Sequence, residues 1–441
     1  MTRIALLALS CLLAGYSVGW SQIPPQPPVD TCLAAARGDS GLTLRTLLLE
    51  VRARHPSIEA ARARVRAALG NRSWAGAIDN PTFGVQLENV TVPGRPPAPM
   101  ERETIYSAML PLETLYQRGP RVRRAGAELA AARADTGALA LQLALDAAQA
   151  YYQTALAQLE LDTATDLAAW LDSLAAYNRV RAKEGLAAEA DLLRSEVERD
   201  RMTAEASIRA AELAGARAGL AEFLPQADSS LRVALPVAPI GEPPDAAGFT
   251  VSLPRIEVQR QRLRAMDAAV TAERTMVIPQ VGIMVGAKES VGSTSLVGGV
   301  SLPLPLLNRN GGRIARAKGE RDAAAFELAR EERSARSALA AATQASRRLT
   351  RETMRIGEKT ADGASAYLTR AEEVRRIALG AYREGAVPLF TVVDAARTWG
   401  EARVTYYKLL FAQHKAVLAL FAARGIDPLE ALVAPAGGAR P

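Results

Sequence analysis

The sequence predicts a mainly α protein in which long, coiled-coil-like helices carry four short β-strands, the whole arising from an internal duplication. Three observations predict it. Of 441 residues, 49% are hydrophobic but only 5% are aromatic, and the Ala, Leu, Arg and Glu that dominate suit long helices better than several compact cores. A phrase recurs: MLPLETLYQRGPRVRRAGAE from Met109 and VSLPLPLLNRNGGRIARAKGE from Val300 align Pro111 with Pro303, Gly119 with Gly311, Arg124 with Arg316 and Glu128 with Glu320 at one common offset. A fixed-offset repeat is the signature of a duplicated architecture. Finally, the stretches before each phrase alternate apolar and polar residues with the period of a strand.

The elements follow in order. MTR and the apolar run IALLALSCLLAG, with small residues at Ser17, Gly19 and Ser21, read as an export signal over 1–21, a run too short to span a bilayer as a helix. Cys11 follows Ala8-Leu9-Ser10, a poor fit to a lipoprotein acceptor. Removal of the signal leaves Cys32 alone, so no intrachain disulfide is expected. Residues 22–41 read as a Pro-rich tether.

The first repeat spans 42–223. Its opening helix is interrupted near Pro56. A strand over 82–90 places Phe83, Val85 and Leu87 on one side and Thr82, Gly84, Gln86 and Glu88 on the other. A Pro- and Gly-rich loop leads to a second strand over 104–112. A helix from about Arg121 to Lys183 follows, then a turn at Glu184-Gly185 and a helix from about Ala187 to Glu222. Residues 224–253 form a Pro-rich connector. The second repeat, 254–425, restarts the plan: LPRIEVQRQRL echoes HPSIEAARARV, strands fall at 279–288 and 294–302 with Val281, Ile283 and Val285 on one side, and a helix runs from about Arg313 to Arg383. Glu384-Gly385 matches Glu184-Gly185, a last helix ends near Gly425, and 426–441 read as a flexible tail.

Function classes narrow quickly. The formal net charge is +7, but the Arg residues alternate with Glu and Ala along helices and no basic run sits beside stacking aromatics, so nucleic acid is not an expected partner. The two histidines, His55 and His414, lack a cysteine or carboxylate cluster at ligand spacing. No phosphate-cradling glycine loop appears. The chain is therefore not expected to be an enzyme, and neither a cofactor nor a metal site is expected. Past residue 22 no apolar run approaches a transmembrane helix. Four strands of about nine residues match the length of tilted membrane strands. Since four cannot close a barrel and an open edge in lipid is costly, several copies would have to share one. A soluble four-stranded sheet capping a helical bundle satisfies the same alternation, so both readings stay open on pattern alone.

The export signal, the paired repeats, PLPLLNRNGGRIARAKGE and YREGAVPLFTVVDAARTWGEARVTYYKLL together resemble the TolC-like outer-membrane factor family over roughly residues 42–425, with the Pro-Leu-Pro-Leu-Leu-Asn-Arg-Asn wording closest to its cation-efflux (CzcC-like and CusC-like) branch. The resemblance implies a homotrimer with a 12-stranded barrel in outer-membrane lipid, an α-helical tunnel across the periplasm and an equatorial belt near the connector and chain ends. It implies the exit duct of a tripartite, RND-type pump, met by a periplasmic adaptor coupled to an inner-membrane transporter, with heavy-metal cations or small toxic compounds as cargo. Gly185 and Gly385, with Glu184 and Glu384, would form the adaptor-docking tips. Asp394 falls on a position of the acidic pore constriction; three residues earlier stands Thr391, a departure from the double acidic ring, and Asp191, the repeat partner of Thr391, is the candidate for the missing charge. An exit channel of a type I protein-secretion system and a soluble periplasmic coiled-coil scaffold are the alternatives.

Overall fold

The computed structural model describes residues 41–90, 101–112, 114–185, 188–224, 231–236, 238–242, 253–277, 281–302, 307–358 and 365–433. The expected signal, most of the tether, Cys11 and Cys32 lie outside these residues, as do Pro279 and Pro303.

Helix α1 (Leu44–Arg54) is capped by the Thr43 hydroxyl, which accepts from Thr46 N. Helix α2 (Pro56–Gly76) starts on Pro56, and His55 Nδ1 caps it by accepting from Ser57 N at 3.2 Å; His55 thus serves as a helix cap. Strands β1 (Thr82–Glu88) and β2 (Glu103–Pro111) pair, and α3 runs for 70 residues from Thr114 to Lys183. At 1.5 Å per residue it is about 105 Å long. It starts seven residues before the expected Arg121: Pro120 is accommodated in the second turn, where its ring removes one intrahelical bond near the end rather than breaking a continuous ladder.

Helix α4 (Glu189–Ala221) closes the first repeat and α5 (Pro254–Thr275) opens the second, followed by β3 (Gly282–Ser290) and β4 (Ser293–Ser301). The long helical run expected from Arg313 to Arg383 is two helices, α6 (Gly311–Ile356) and α7 (Ala366–Arg383). Gly357 ends α6, and the chain is drawn back by Ser365 Oγ donating to Ile356 O at 2.9 Å and Ala366 N donating to Glu358 O at 2.8 Å. Helix α8 is Leu389–Ala423. Part of the expected flexible tail is ordered: α9 (Pro428–Val433) is capped by Asp427, whose carboxylate accepts from Leu429 N and pairs with Arg52 at 2.6 Å.

Helix α3 is the spine. Towards the sheet it packs on α2 and α5, through Arg118 to Gly76 O at 2.7 Å and Arg262 to Asp135 at 3.3 Å; further along it packs on α4 and α8, through Arg179 to Glu196 and Arg403 to Asp166, both 2.7 Å. Between these levels lies the main core, where Leu47, Leu48, Val51, Tyr151, Tyr152, Leu220, Phe411, Val417 and Leu418 are buried. The connector is part of it: Val233 is buried, makes a parallel bridge with Leu42, and has its backbone held on both sides by the Gln158 amide. Small residues such as Ala147, Ala148 and Ala155 are fully buried or nearly so along α3, as close helix packing requires.

Candidate functional site

The four strands form one antiparallel sheet in the order β1-β2-β3-β4, so the two repeats meet at the β2–β3 pair and β1 and β4 are free edges. The register decides which side chains share a face. Val85 lies opposite Tyr106, Tyr106 opposite Ala287, and Ala287 opposite Leu296. Extending this along the strands puts Phe83, Val85, Leu87, Tyr106, Ala108, Leu110, Ile283, Val285, Leu296 and Val300 on one side. On the other stand Gln86, Glu88, Glu103, Ser107, Lys288 and Ser295. The apolar side is uncovered by the described residues: Phe83 is 72% exposed, Leu296 84% and Val300 72%. An apolar patch of this size on an otherwise helical protein marks a surface meant for lipid or another partner. The polar side carries its own contacts, Lys288 pairing with Glu103 at 2.5 Å and lying 3.7 Å from Glu88. Val281, expected on the apolar side, lies just before β3, and its carbonyl accepts from Leu112 N at 2.7 Å. No helix among the described residues is long and apolar enough to cross a membrane.

At the far end of the helices two turns repeat each other. Gly185 has φ +74° and Gly385 φ +79°, the left-handed conformation that ends helices at little cost only in glycine. Gly185 N donates to Ala182 O at 3.1 Å and Gly385 N to Tyr382 O at 3.0 Å, while Ala386 N reaches Ala381 O at 2.8 Å. Glu184, Gly185, Glu384 and Gly385 are all exposed. The two hairpins, α3–α4 and α7–α8, are tied near these turns. Tyr382 Oη donates to Asn178 Oδ1 at 2.8 Å, and the Arg181 guanidinium lies over the Tyr177 and Tyr382 rings at 5.5 and 5.9 Å. Burial, reinforced by the negative charge of nearby Asp191, pushes the Tyr382 phenol up, against the opposing Arg181 charge. Leu389, Val392 and Ala396 pack α8 against Leu167, Leu171 and Leu174 of α3.

Asp394 stands exposed, off the face through which Val392, Ala395 and Ala396 are buried, and Thr391 is exposed beside it. Asp191 sits half-buried in the first turn of α4, where the helix dipole favours a carboxylate. The structure thus associates Asp191 with the Tyr382 clasp and leaves Asp394 on a free surface.

A set of buried polar side chains escaped the sequence reading. His414 Nε2 lies 2.8 Å from Ala238 O and its Nδ1 2.8 Å from Tyr152 Oη. With Nε2 donating to the carbonyl, Nδ1 is the acceptor and the ring is neutral; burial pulls its pKa down to about 4. Gln413 Nε2 donates to Ile240 O at 2.7 Å, and Tyr151 Oη donates to Ala234 O at 2.5 Å. These groups of α3 and α8 strap the connector to the core. Among the described residues no group of three or more His, Cys, Asp or Glu could hold a metal ion.

Long paired helices bearing a short sheet with one largely apolar exposed side are the fold that solved outer-membrane channels share. Residues 47–228 match the model of the outer membrane efflux protein family, and likeness to individual relatives extends over most of the chain. It is 29% identical to the nickel and cobalt resistance protein CnrC of Cupriavidus metallidurans over 64% of this chain and 69% of that one. It is 25% identical to the cobalt-zinc-cadmium resistance protein CzcC of the same organism over 94% of this chain and 95% of that one. Its fold matches the CmeC outer membrane channel of Campylobacter jejuni with a TM-score of 0.72, at 13% identity, over 87% of this chain and 85% of that one.

Proposed function

We propose that three copies of the chain close a 12-stranded barrel in the outer membrane and continue as an α-helical duct through the periplasm, forming the exit channel of a tripartite efflux pump. The observation that carries this is the sheet: four strands, two edges unpaired among the described residues, and one side largely apolar and exposed, with Thr104, Glu289 and Thr294 confined to one end of it. Unpaired edges in hydrocarbon leave backbone groups without partners at several kcal/mol each, so the sheet enters lipid only when other copies complete it. A nine-residue strand is about 30 Å long, and tilted by roughly 40° it spans about 23 Å, close to the apolar band of outer-membrane barrels. The polar side then lines the lumen, and the exported signal sequence delivers the chain to the right compartment.

The cargo reading is heavy-metal cations, supported by relatives named for resistance to nickel, cobalt, zinc and cadmium. The exposed turns at Glu184-Gly185 and Glu384-Gly385 are the surfaces for a periplasmic adaptor, which links the duct to an inner-membrane transporter. Asp394 and Asp191 are the acidic groups for the pore constriction near the hairpin turns. The duct itself needs no chemistry beyond a wet, closed wall. The test is deletion and complementation in the native host. The wild-type chain should sediment with the outer membrane as a heat-modifiable oligomer and restore growth on nickel, cobalt, zinc or cadmium. A chain that stays in the soluble periplasmic fraction refutes the channel; an outer-membrane oligomer that restores no metal resistance refutes the cargo.

A further inference from the structure

The boundary between the sheet and the helical wall carries a basic cleft that neither the duct nor the tips use. It is an open recess of about 550 Å³ between the C-terminal half of α2 and the first turns of α3, lined by Leu69, Arg72, Ser73, Gly76, Arg118 and Val122. Its height in the molecule is fixed by the chain. Helix α2 ends at Gly76 shortly before β1 begins at Thr82, and α3 begins at Thr114 just after β2 ends at Pro111.

The cleft is set up to take an anion. Arg118 Nε donates to Gly76 O at 2.7 Å, which holds the guanidinium at the edge of the recess. Arg72, one turn before Gly76, is exposed and makes no ion pair with a described residue. One turn along α3 from Arg118, Arg121 approaches Asp79 at only 3.7 Å, and its Nε and Nη2 are buried without a hydrogen-bond partner. Arg72 and Arg118 therefore bring two guanidinium groups to one recess, with Arg121 one turn further along α3, and forked donors of this kind match phosphate oxygens. Leu69 and Val122 give the recess an apolar floor. On the same segment Trp74 is 75% exposed and Ile78 69% exposed, and an exposed tryptophan at the edge of an apolar band is the usual mark of the headgroup level.

We propose that this cleft binds the phosphate of a phospholipid in the periplasmic leaflet of the outer membrane, held by Arg72 and Arg118, with Leu69 and Val122 against the start of its acyl region. The site rests on the barrel reading, because only a sheet in lipid brings headgroups to this height. It would anchor the duct at the junction where the wall changes from strand to helix.

The experiment uses the full-length assembly extracted from outer membranes and shown first to be a heat-modifiable oligomer; a wild-type chain that fails this step refutes the barrel, not the cleft. The assembly is then equilibrated with phosphatidylglycerol and phosphatidylethanolamine in detergent micelles, and bound phospholipid is counted by native mass spectrometry. Arg72→Gln should weaken retention about tenfold, as loss of one charge-assisted pair implies, and the double change with Arg118→Gln should weaken it further. Arg348→Gln, on an exposed turn of α6, should change nothing. Arg72 makes no hydrogen bond with a described residue that its replacement would break, so its variant remains informative if the Arg118 variant does not assemble. Equal retention by wild type and Arg72→Gln overturns the site. Displacement of the lipid by millimolar inorganic phosphate would assign the cleft to free anions and overturn the lipid.

Discussion

Placing arginine at Val85 tests the membrane sheet at the point where the cost is greatest. Val85 is the central residue of β1, three residues from each end of Thr82–Glu88. The register carries its level across the sheet to Tyr106, Ala287 and Leu296, each within one residue of the middle of its own strand. Val85 is 55% exposed on the apolar side. In the proposed barrel it sits close to the bilayer midplane, where an arginine on the lipid side costs about 2–4 kcal/mol. Three copies in one barrel multiply this to roughly 6–12 kcal/mol per assembly, as large as the whole stability of an ordinary domain. Gln86, its neighbour on the polar side, is the control: an arginine there faces the lumen and should be close to neutral. The assay is the amount of heat-modifiable oligomer in the outer-membrane fraction, followed by urea unfolding in lipid vesicles. Val85→Arg should strip the oligomer from the membrane while Gln86→Arg leaves it. If both variants insert and unfold alike, the apolar side does not face lipid and the barrel reasoning fails.

Three further outcomes are expected. Gly185→Val and Gly385→Val force a β-branched residue into left-handed backbone, which costs about 1–2 kcal/mol at each exposed turn; metal resistance should be lost while the oligomer persists, and loss of the oligomer as well would make the turns purely structural. His414 is held neutral, with its folded pKa near 4 against an ordinary 6.5, so the unfolded chain binds the extra proton between these values: stability is full above about pH 6.5 and falls by about 3 kcal/mol as the pH drops to 4. His414→Gln should flatten that part of the pH–stability curve measured by chemical denaturation, and an unchanged slope would show that another group carries it. Asp394→Ala should weaken block of the reconstituted channel by divalent cations, because converging carboxylates attract them; with Thr391 in place of a second acid the wild-type block should be modest, and identical block in both proteins would move the constriction to Asp191.

Much of this was legible because strands and turns leave local marks. Phe83, Val85 and Leu87 alternate with polar residues, and a period of two fixes the face before any pairing is known. The twin Glu-Gly turns are visible because few residues other than glycine accept positive φ. The break between α6 and α7 was missed for the opposite reason: Glu358, Lys359, Thr360 and Ala361 are all tolerated in a helix, so periodicity runs through them, although Gly357 and Gly363 were there to read. The ordered stretch after Gly425 carried a start signal in Asp427-Pro428 that composition obscured. The polar straps were not legible at all. Gln158, Gln413 and His414 look like surface residues in their helices, because their partners are backbone carbonyls of a connector remote in sequence.

Those straps also explain how a wall of small residues stays in register. Close packing of Ala147, Ala148 and Ala155 against neighbouring helices buries little apolar area per residue and would tolerate sliding. A buried hydrogen bond does not, because a slip of one turn strands its donor at a cost of about 1–3 kcal/mol. Val233, Ala234, Ala238 and Ile240 are each gripped by a side chain from α3 or α8, so the connector works as a belt that fixes the height of the middle of α3 against the C-terminal part of α8. Beyond it α3 runs one way to β2 and the other way to Gly185, while α8 starts beside Gly385. A register error at the belt would misplace both. The connector between the repeats is therefore a positioning element in its own right, and the neutral His414 at its centre is the place where acid should loosen it first.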